Sequence, residues 1–226
     1  MSAFLARPTD ACLASGVTTP PTDRGARAWL CDLDGTLYHA GGVKWWMAAE
    51  LLVLGPQHIP LLRAFRHAHE ALRAEQVQNP ELEFAPSPFD EQLRRVLSDG
   101  QSDERTRRIV LDWMVHRPGK WLRRALRQAL VQEISSFRAA GGVTAIVSDY
   151  PAQRKLEAMG LLTLFDVVVA NGEHQALRRL KPAPDGFLQA ASELGVTPAD
   201  CLVLGDRDDA DGEAARRAGM PFRLIG

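Results

Sequence analysis

The chain has 226 residues, 46% of them hydrophobic and 24% charged, ordinary proportions for a globular protein that buries one substantial core. Its 27 Lys and Arg nearly cancel 28 Asp and Glu, which argues against a protein held to nucleic acid mainly by charge. No apolar run reaches the roughly 20 residues that a membrane-spanning helix needs. Three widely spaced cysteines, Cys12, Cys31 and Cys201, fit neither a disulfide framework nor a zinc pattern, and predict small buried thiols in a reducing, cytoplasmic setting. The N-terminus, interrupted early by Asp10, lacks signal-peptide character.

Residues 1–26, with Pro8, Pro20 and Pro21 and no sustained period, read as a tail or linker. Short apolar runs at 28–33, 143–147, 166–170, 201–204 and 222–225 read as buried strands. Between the first two lies a long segment of helical patterns at 44–54, 60–77, 90–98 and 103–116, broken by Gly55-Pro56, Asn79-Pro80 and Pro86-Ser87-Pro88. A crossover needs only a dozen or so residues, so 44–116 reads as an inserted helical subdomain, with 27–43 and 117–226 forming the core. The apolar series Leu122, Leu126, Leu130, Ile134, Phe137 predicts one crossover helix over 118–142, closed by Gly141-Gly142. The predicted fold class is α/β: a doubly wound, Rossmann-like parallel sheet carrying an all-helical insertion over the carboxyl ends of its strands.

Directly after the first strand comes Asp32-Leu33-Asp34-Gly35-Thr36-Leu37-Tyr38. Two carboxylates at i and i+2 on extended backbone face one side, and repel unless a cation lies between them; an Asp-Gly turn is the plainer reading. The fourth strand is followed by Gly205-Asp206-Arg207-Asp208-Asp209-Ala210-Asp211, opening a helix over 213–218. Capping explains one or two of these aspartates. It does not explain why the cluster shares a sheet edge with the first pair. Oxygen ligands from two strand ends suit Mg²⁺. Ser148 ends the second strand, and Lys181 heads Lys-Pro-Ala-Pro.

These four segments, in this order over 27–226, resemble the haloacid dehalogenase superfamily. Asp32 to Thr36 matches its D-x-D-G-T motif, Ser148 its strand-end hydroxyl, Lys181 its lysine, and Gly205-Asp206 with Asp211 its acidic motif. The linking text resembles members with a helical cap of the phosphoglycolate phosphatase type. The spacing of Asp206 and Asp211 leaves Asp209 or Asp208 as substitutes for the outer acid, and the run Asn171 to Leu180, with Arg178 and Arg179, is longer and more basic than usual.

The resemblance implies a Mg²⁺-dependent phosphatase acting through an aspartyl-phosphate on a small phosphorylated metabolite. Asp32 would be the nucleophile, ionised at neutral pH; Asp34 would be the acid and base, its pKa raised by neighbouring carboxylates. Asp32, Leu33, Asp34, Ser148, Asp149 and Lys181 would surround the phosphoryl group, and the metal would lie among Asp32, the Asp34 carbonyl, Asp206 and Asp211. Four carboxylates against one lysine leave three negative charges uncompensated, which predicts near-inertness toward phosphate esters without metal. The same apparatus serves a phosphomutase. A catalytically silent Mg²⁺ or phosphate-binding regulatory protein is the alternative from another class. A carbon–halogen dehalogenase needs neither metal nor an acid at Asp34. Partners reduce to a small phosphorylated substrate, with neither nucleic acid nor membrane.

In the insertion and beyond, residues 101–140 hold nine Lys or Arg against four Asp or Glu. Arg105, Arg107, Arg108, Arg123, Arg124 and Arg127 are expected to form a solvated face, and Trp45, Trp46, Trp113 and Trp121 to pack in the core or against the cap. His67 and His69 point to different sides of one helix and make a poor metal pair. Tyr38, His39 and Gly41-Gly42 lie at the expected hinge into the cap.

Overall fold

Alternation along the central strand builds both faces of the sheet. In β1 (Ala28–Cys31), Trp29 and Cys31 enter one apolar cluster while Ala28 and Leu30 enter the other, the two-residue period of a strand buried on both sides. In the computed structural model, which describes residues 25–97 and 103–226, β1 pairs in parallel with β2 (Val143–Ser148) and β4 (Cys201–Gly205). β3 (Val167–Ala170) and β5 (Phe222–Leu224) extend the sheet to the order β3-β2-β1-β4-β5. The order reverses beside β1, so a crevice opens past the carboxyl ends of β1 and β4. Cys31 and Cys201 are buried as expected. The expected tail falls outside the described residues except for Gly25 and Ala26.

Between β1 and β2 the chain forms α1 (Ala40–Leu54), α2 (Ile59–Gln78), α3 (Pro88–Val96), α4 (Asp103–Leu111), a wide turn at Asp112–His116 and α5 (Gly119–Ala125). Leu62, Phe65, Phe89, Leu93, Val110 and Trp113 give these helices a core of their own, whereas Val43 and Leu122 pack into the sheet's core. α3 begins on Pro88, with the Ser87 hydroxyl accepting from the Asp90 N–H at 3.1 Å. After β2, α7 (Gln153–Met159) joins α6 (Gln128–Ala139) on one face of the sheet, while α8 (Asp185–Leu194) and α9 (Glu213–Arg217) line the other.

The single helix expected over 118–142 is two. Leu126 leaves helical geometry (ψ 138°) and bridges Tyr38. The His39 N–H donates to Ala125 O at 2.9 Å and the Arg127 N–H to Leu37 O at 2.9 Å. The outgoing and returning chains thus pair with each other, and that pairing outcompetes one more turn of helix. Gly41 and Gly42, expected to be flexible, occupy the first turn of α1. Trp45 and Trp46 are not core: they are 63% and 47% exposed on α1, Trp46 stacking on Trp121 at 4.9 Å, while Trp113 is buried. The expected arginine face is partly committed. Arg107 pairs with Asp90, and Arg127 donates to Gly35 O at 3.3 Å.

Candidate active site

The ladder between β1 and β4 continues one residue past β1, where the Asp32 N–H donates to Leu204 O at 2.8 Å. The Asp32 side chain is therefore anchored at its own backbone. Buried Thr36 donates through Oγ1 to Asp32 Oδ2 at 2.9 Å, and the turn closes as the Leu37 N–H donates to Leu33 O at 3.1 Å. Gly35 has φ +110°, and a Cβ there would stand 2.0 Å from Asp206 Oδ2. Only glycine lets the first motif approach the fourth so closely.

Lys181 commits all three of its N–H donors: Asp32 Oδ1 at 2.6 Å, Asp211 Oδ1 at 2.8 Å and Val147 O at 2.9 Å. Burial opposes its charge, but Asp211 and Asp32 outweigh that and raise its pKa. Burial also lifts Asp32 to about 7, reinforced by Asp211 and Asp34 and opposed by Lys181. One oxygen each from Asp32, Asp206 and Asp211 lie within 4.8 Å of one another. Three converging carboxylates, two of them with raised pKa values through burial and mutual repulsion, form a hard-oxygen donor set that fits a divalent cation. Of the alternatives for the outer acid, the structure brings Asp211 to this group; Asp209 pairs with Arg207 at 2.6 Å and Asp208 with Arg216 at 2.9 Å.

Asp34 departs from expectation. Its carboxylate accepts from Lys155 Nζ at 2.7 Å through both oxygens and from the Tyr38 hydroxyl. Burial alone would raise its pKa, but Lys155 and then Tyr38 bring it below the usual carboxylate range. The neighbouring carboxylates that were to raise it are outweighed by a lysine the sequence reading did not use. With Lys155 counted beside Lys181, four carboxylates face two lysines, and the uncompensated charge falls from three to two.

Ser148, Asp149, Lys181, Asp32, Asp34, Asp206 and Asp211 all border one small polar cavity of about 90 Å³. Of the expected phosphoryl-binding residues only Leu33 is absent from its lining; its side chain is buried. Asp149 Oδ1 accepts from the Lys181 N–H at 3.1 Å, and Asn171 Nδ2 donates to Asp149 O at 3.1 Å. These bonds define the long approach to the lysine. α2 adds His69 and Arg73 to the cavity's wall, beside Tyr150, Arg207 and Ala210. His69 stacks on Tyr150 at 4.7 Å, and its buried Nδ1 has no partner among the described residues; burial lowers its pKa. Arg73 Nε donates to Lys181 O at 3.1 Å. Gln76 clamps Leu180 from both sides, Nε2 donating to Leu180 O at 2.7 Å and Oε1 accepting from Leu180 N at 2.9 Å. His67 lines a different, larger cavity of about 480 Å³ that adjoins Asp34, Lys155 and Asp206, so the two histidines do point apart.

Sequence reasoning missed Lys155, His69, Arg73 and Gln76. A signal existed for each. Lys155 shares a helix face with the buried Ala152 and Met159, and His69, Arg73 and Gln76 interrupt the apolar stripe of Leu62, Phe65 and Leu72.

No helix among the described residues is long and apolar enough to cross a membrane. Residues 26–219 match the family model described as haloacid dehalogenase-like hydrolase. Among curated relatives, N-acylneuraminate-9-phosphatase of Homo sapiens is 40% identical over 73 residues, covering 32% of this chain and 28% of that protein. Fructose-1-phosphate phosphatase YqaB of Escherichia coli (strain K12) is 45% identical over 69 residues, covering 30% and 35%. The chain thus spans about a third of the length of these relatives. The fold is similar to that of a 2-haloacid dehalogenase from Pseudomonas syringae pv. Tomato DC3000, with TM-score 0.60 at 18% identity over 88% of this chain and 86% of that one. An HAD phosphatase from Thermococcus onnurineus gives TM-score 0.53 at 20% identity over 88% and 86%.

Proposed function

From the premise that the chain belongs to the haloacid dehalogenase-like hydrolase family, we propose that it is a Mg²⁺-dependent phosphomonoesterase of small phosphorylated metabolites, working through an aspartyl-phosphate on Asp32. The observation that carries this reading is the convergence of Asp32, Asp206 and Asp211 at one cavity, with the Lys181 ammonium bonded to Asp32 and Asp211. A dehalogenase needs no such cation site. The phosphatase names of the partial relatives point the same way. In this reading residues 44–116 form the cap, and Val43 and Leu122, on either side of it, belong to the sheet's core.

Asp32, Asp206 and Asp211, with the main-chain carbonyl of Asp34, would hold the ion. When bound, it supplies positive charge that offsets the carboxylates and the phosphoryl oxygens. Asp32 forms the bond to phosphorus as the ester P–O bond breaks, and Thr36 and Lys181 fix its orientation. Ser148, the main-chain amides after Asp32, and Lys181 donate to the phosphoryl oxygens or offset their charge. A proton of the Lys155 ammonium passes through the Asp34 carboxylate to the leaving oxygen. Asp34 then takes a proton from the water that cleaves the acyl-phosphate and returns it to Lys155 Nζ.

The test is phosphate release from an aryl phosphate with Mg²⁺ or with EDTA, on the wild type and on Asp32→Asn. Turnover that needs Mg²⁺ and falls by about 10³-fold or more in the variant is expected. Undiminished turnover by Asp32→Asn, or halide release from a 2-haloacid in place of phosphate release, rejects the proposal.

A further inference from the structure

The outer side of α1 carries a surface that phosphoryl transfer does not use. At about 100° per residue, Gly42, Trp45, Trp46, Ala49, Leu52 and Val53 fall within one arc of about 120° on this helix. All are exposed except Ala49, which is half-buried at the middle of the arc; Leu52 and Val53 are 65% and 78% exposed. The helix's two charged residues lie outside the arc and face elsewhere. Lys44 lines the larger cavity, and Glu50 pairs with Arg117 at 2.9 Å and with Lys120 at 2.6 Å. Trp46 is set by its stack on Trp121, and Trp45 meets Trp46 edge-on at 4.7 Å. The two indoles are thus held in place by each other and by α5, so little side-chain freedom is left to lose on covering them.

These side chains present roughly 600 Å² of contiguous apolar surface, the size at which a patch marks an interaction site. It is most of the roughly 800 Å² that each partner gives to a stable interface. Gly42, Trp45, Ala49 and Leu52 follow the i, i+3, i+7, i+10 spacing of a helix–helix seam, and the small Gly42 and Ala49 let a second axis approach closely. The face is also its own complement. With a twofold axis beside Ala49, an antiparallel second α1 lays Trp45 of each copy over Leu52 and Val53 of the other. No charge lies on the arc to be buried unpaired by that contact, and none is there to select a charged partner. We propose that this face of α1 is the twofold interface between two copies of the chain. The proposal goes beyond the phosphomonoesterase reading and does not depend on it.

Sedimentation equilibrium of the full chain decides it, and the wild type is expected to be a dimer with Kd of about 1 µM or tighter. Leu52→Glu and Val53→Lys, made separately, each set a charge against the other copy's Trp45. Each is expected to raise Kd about a hundredfold or more with far-UV circular dichroism unchanged, because both positions are exposed in the single chain. A wild type still monomeric at about 100 µM overturns the proposal, as does a dimer that survives both substitutions. Ala49→Cys in a Cys12→Ser background gives a reading that does not rely on those two variants folding. Ala49 sits beside the twofold axis, so with Cu(II)–phenanthroline as oxidant the introduced thiols of two copies should join in one disulfide. A dimer that fails to cross-link there places the contact on another surface and overturns the proposal. A monomeric wild type that binds vesicles of anionic phospholipid, with binding lost in Leu52→Glu, assigns the face to a membrane surface and overturns it too.

Discussion

The sheet edge and the cap face each other across one cleft and are built on opposite rules. At the edge, charge is concentrated and its cations are fully committed: Lys181 spends every donor on Asp32, Asp211 and Val147, while Thr36 holds Asp32 and Lys155 holds Asp34. Across the cleft, Lys44 and Arg66 are exposed and have no ion-pair partner among the described residues. A reacting centre gains from groups already fixed where charge will develop. A recognition surface gains from groups left free for the ligand. The difference teaches where to look for chemistry and where for selection.

Removing a committed charge should therefore cost most. Lys181→Met leaves Asp32 and Asp211 buried against each other, a loss of about 3–5 kcal/mol in metal-free protein. Urea unfolding in EDTA measures it. A loss below about 1 kcal/mol would mean that the lysine is not what holds the two carboxylates together. Lys155→Met removes the group that orients Asp34 and keeps it ionised. We expect kcat to fall about a hundredfold with KM little changed. A matching rise in KM would instead assign Lys155 to substrate binding.

The joint between the two regions offers the next test. Gln76, on α2, satisfies both backbone groups of Leu180, and all of these atoms are buried. Gln76→Leu keeps the apolar stem but strands a donor and an acceptor, at about 2 kcal/mol. The loss should be the same with and without Mg²⁺, because the clamp touches no metal-binding residue. A stability loss that Mg²⁺ restores would place Gln76 in the reacting centre and blur the division drawn above.

What the sequence disclosed follows the same division. The strands were legible because each is a short apolar run between breakers. Asp32, Ser148, Lys181 and Asp206 were legible because each follows or ends such a run, or heads a marked turn. The partnership of Asp34 was not legible. Lys155 lies 121 residues away on α7, and its place on the buried face of that helix does not say which carboxylate it meets. The same holds for the break at Leu126, whose apolar period continues through it. The competing hydrogen bonds come from Leu37 and His39, a long-range pairing that no helical period records. Trp45 and Trp46 misled for a related reason. Apolar side chains on α1 signal burial only if another element covers them, and α1 is apolar on its exposed side as well.

The smallest effect lies within the cap, far from both rules' extremes. Glu91, in the first turn of α3, accepts from Arg94 at 2.7 Å and from Arg95 at 2.8 Å. Arg94, opposed by partial burial and aided by Arg95, lowers its pKa to about 2, below an unfolded value of about 4.3. A carboxyl depressed on folding stabilises fully above its unfolded pKa, and that contribution is lost as pH falls through the folded one. Arg94 is 70% exposed, so solvent screens much of the pairing and Glu91→Gln should cost only about 0.5–1 kcal/mol at pH 7. The gap to wild type should close progressively between about pH 4.3 and 2, followed by urea midpoints at a series of pH values. A gap that stays constant over that range would show that Glu91 acts through packing rather than charge, and that α3 depends on its Ser87 cap alone for its start.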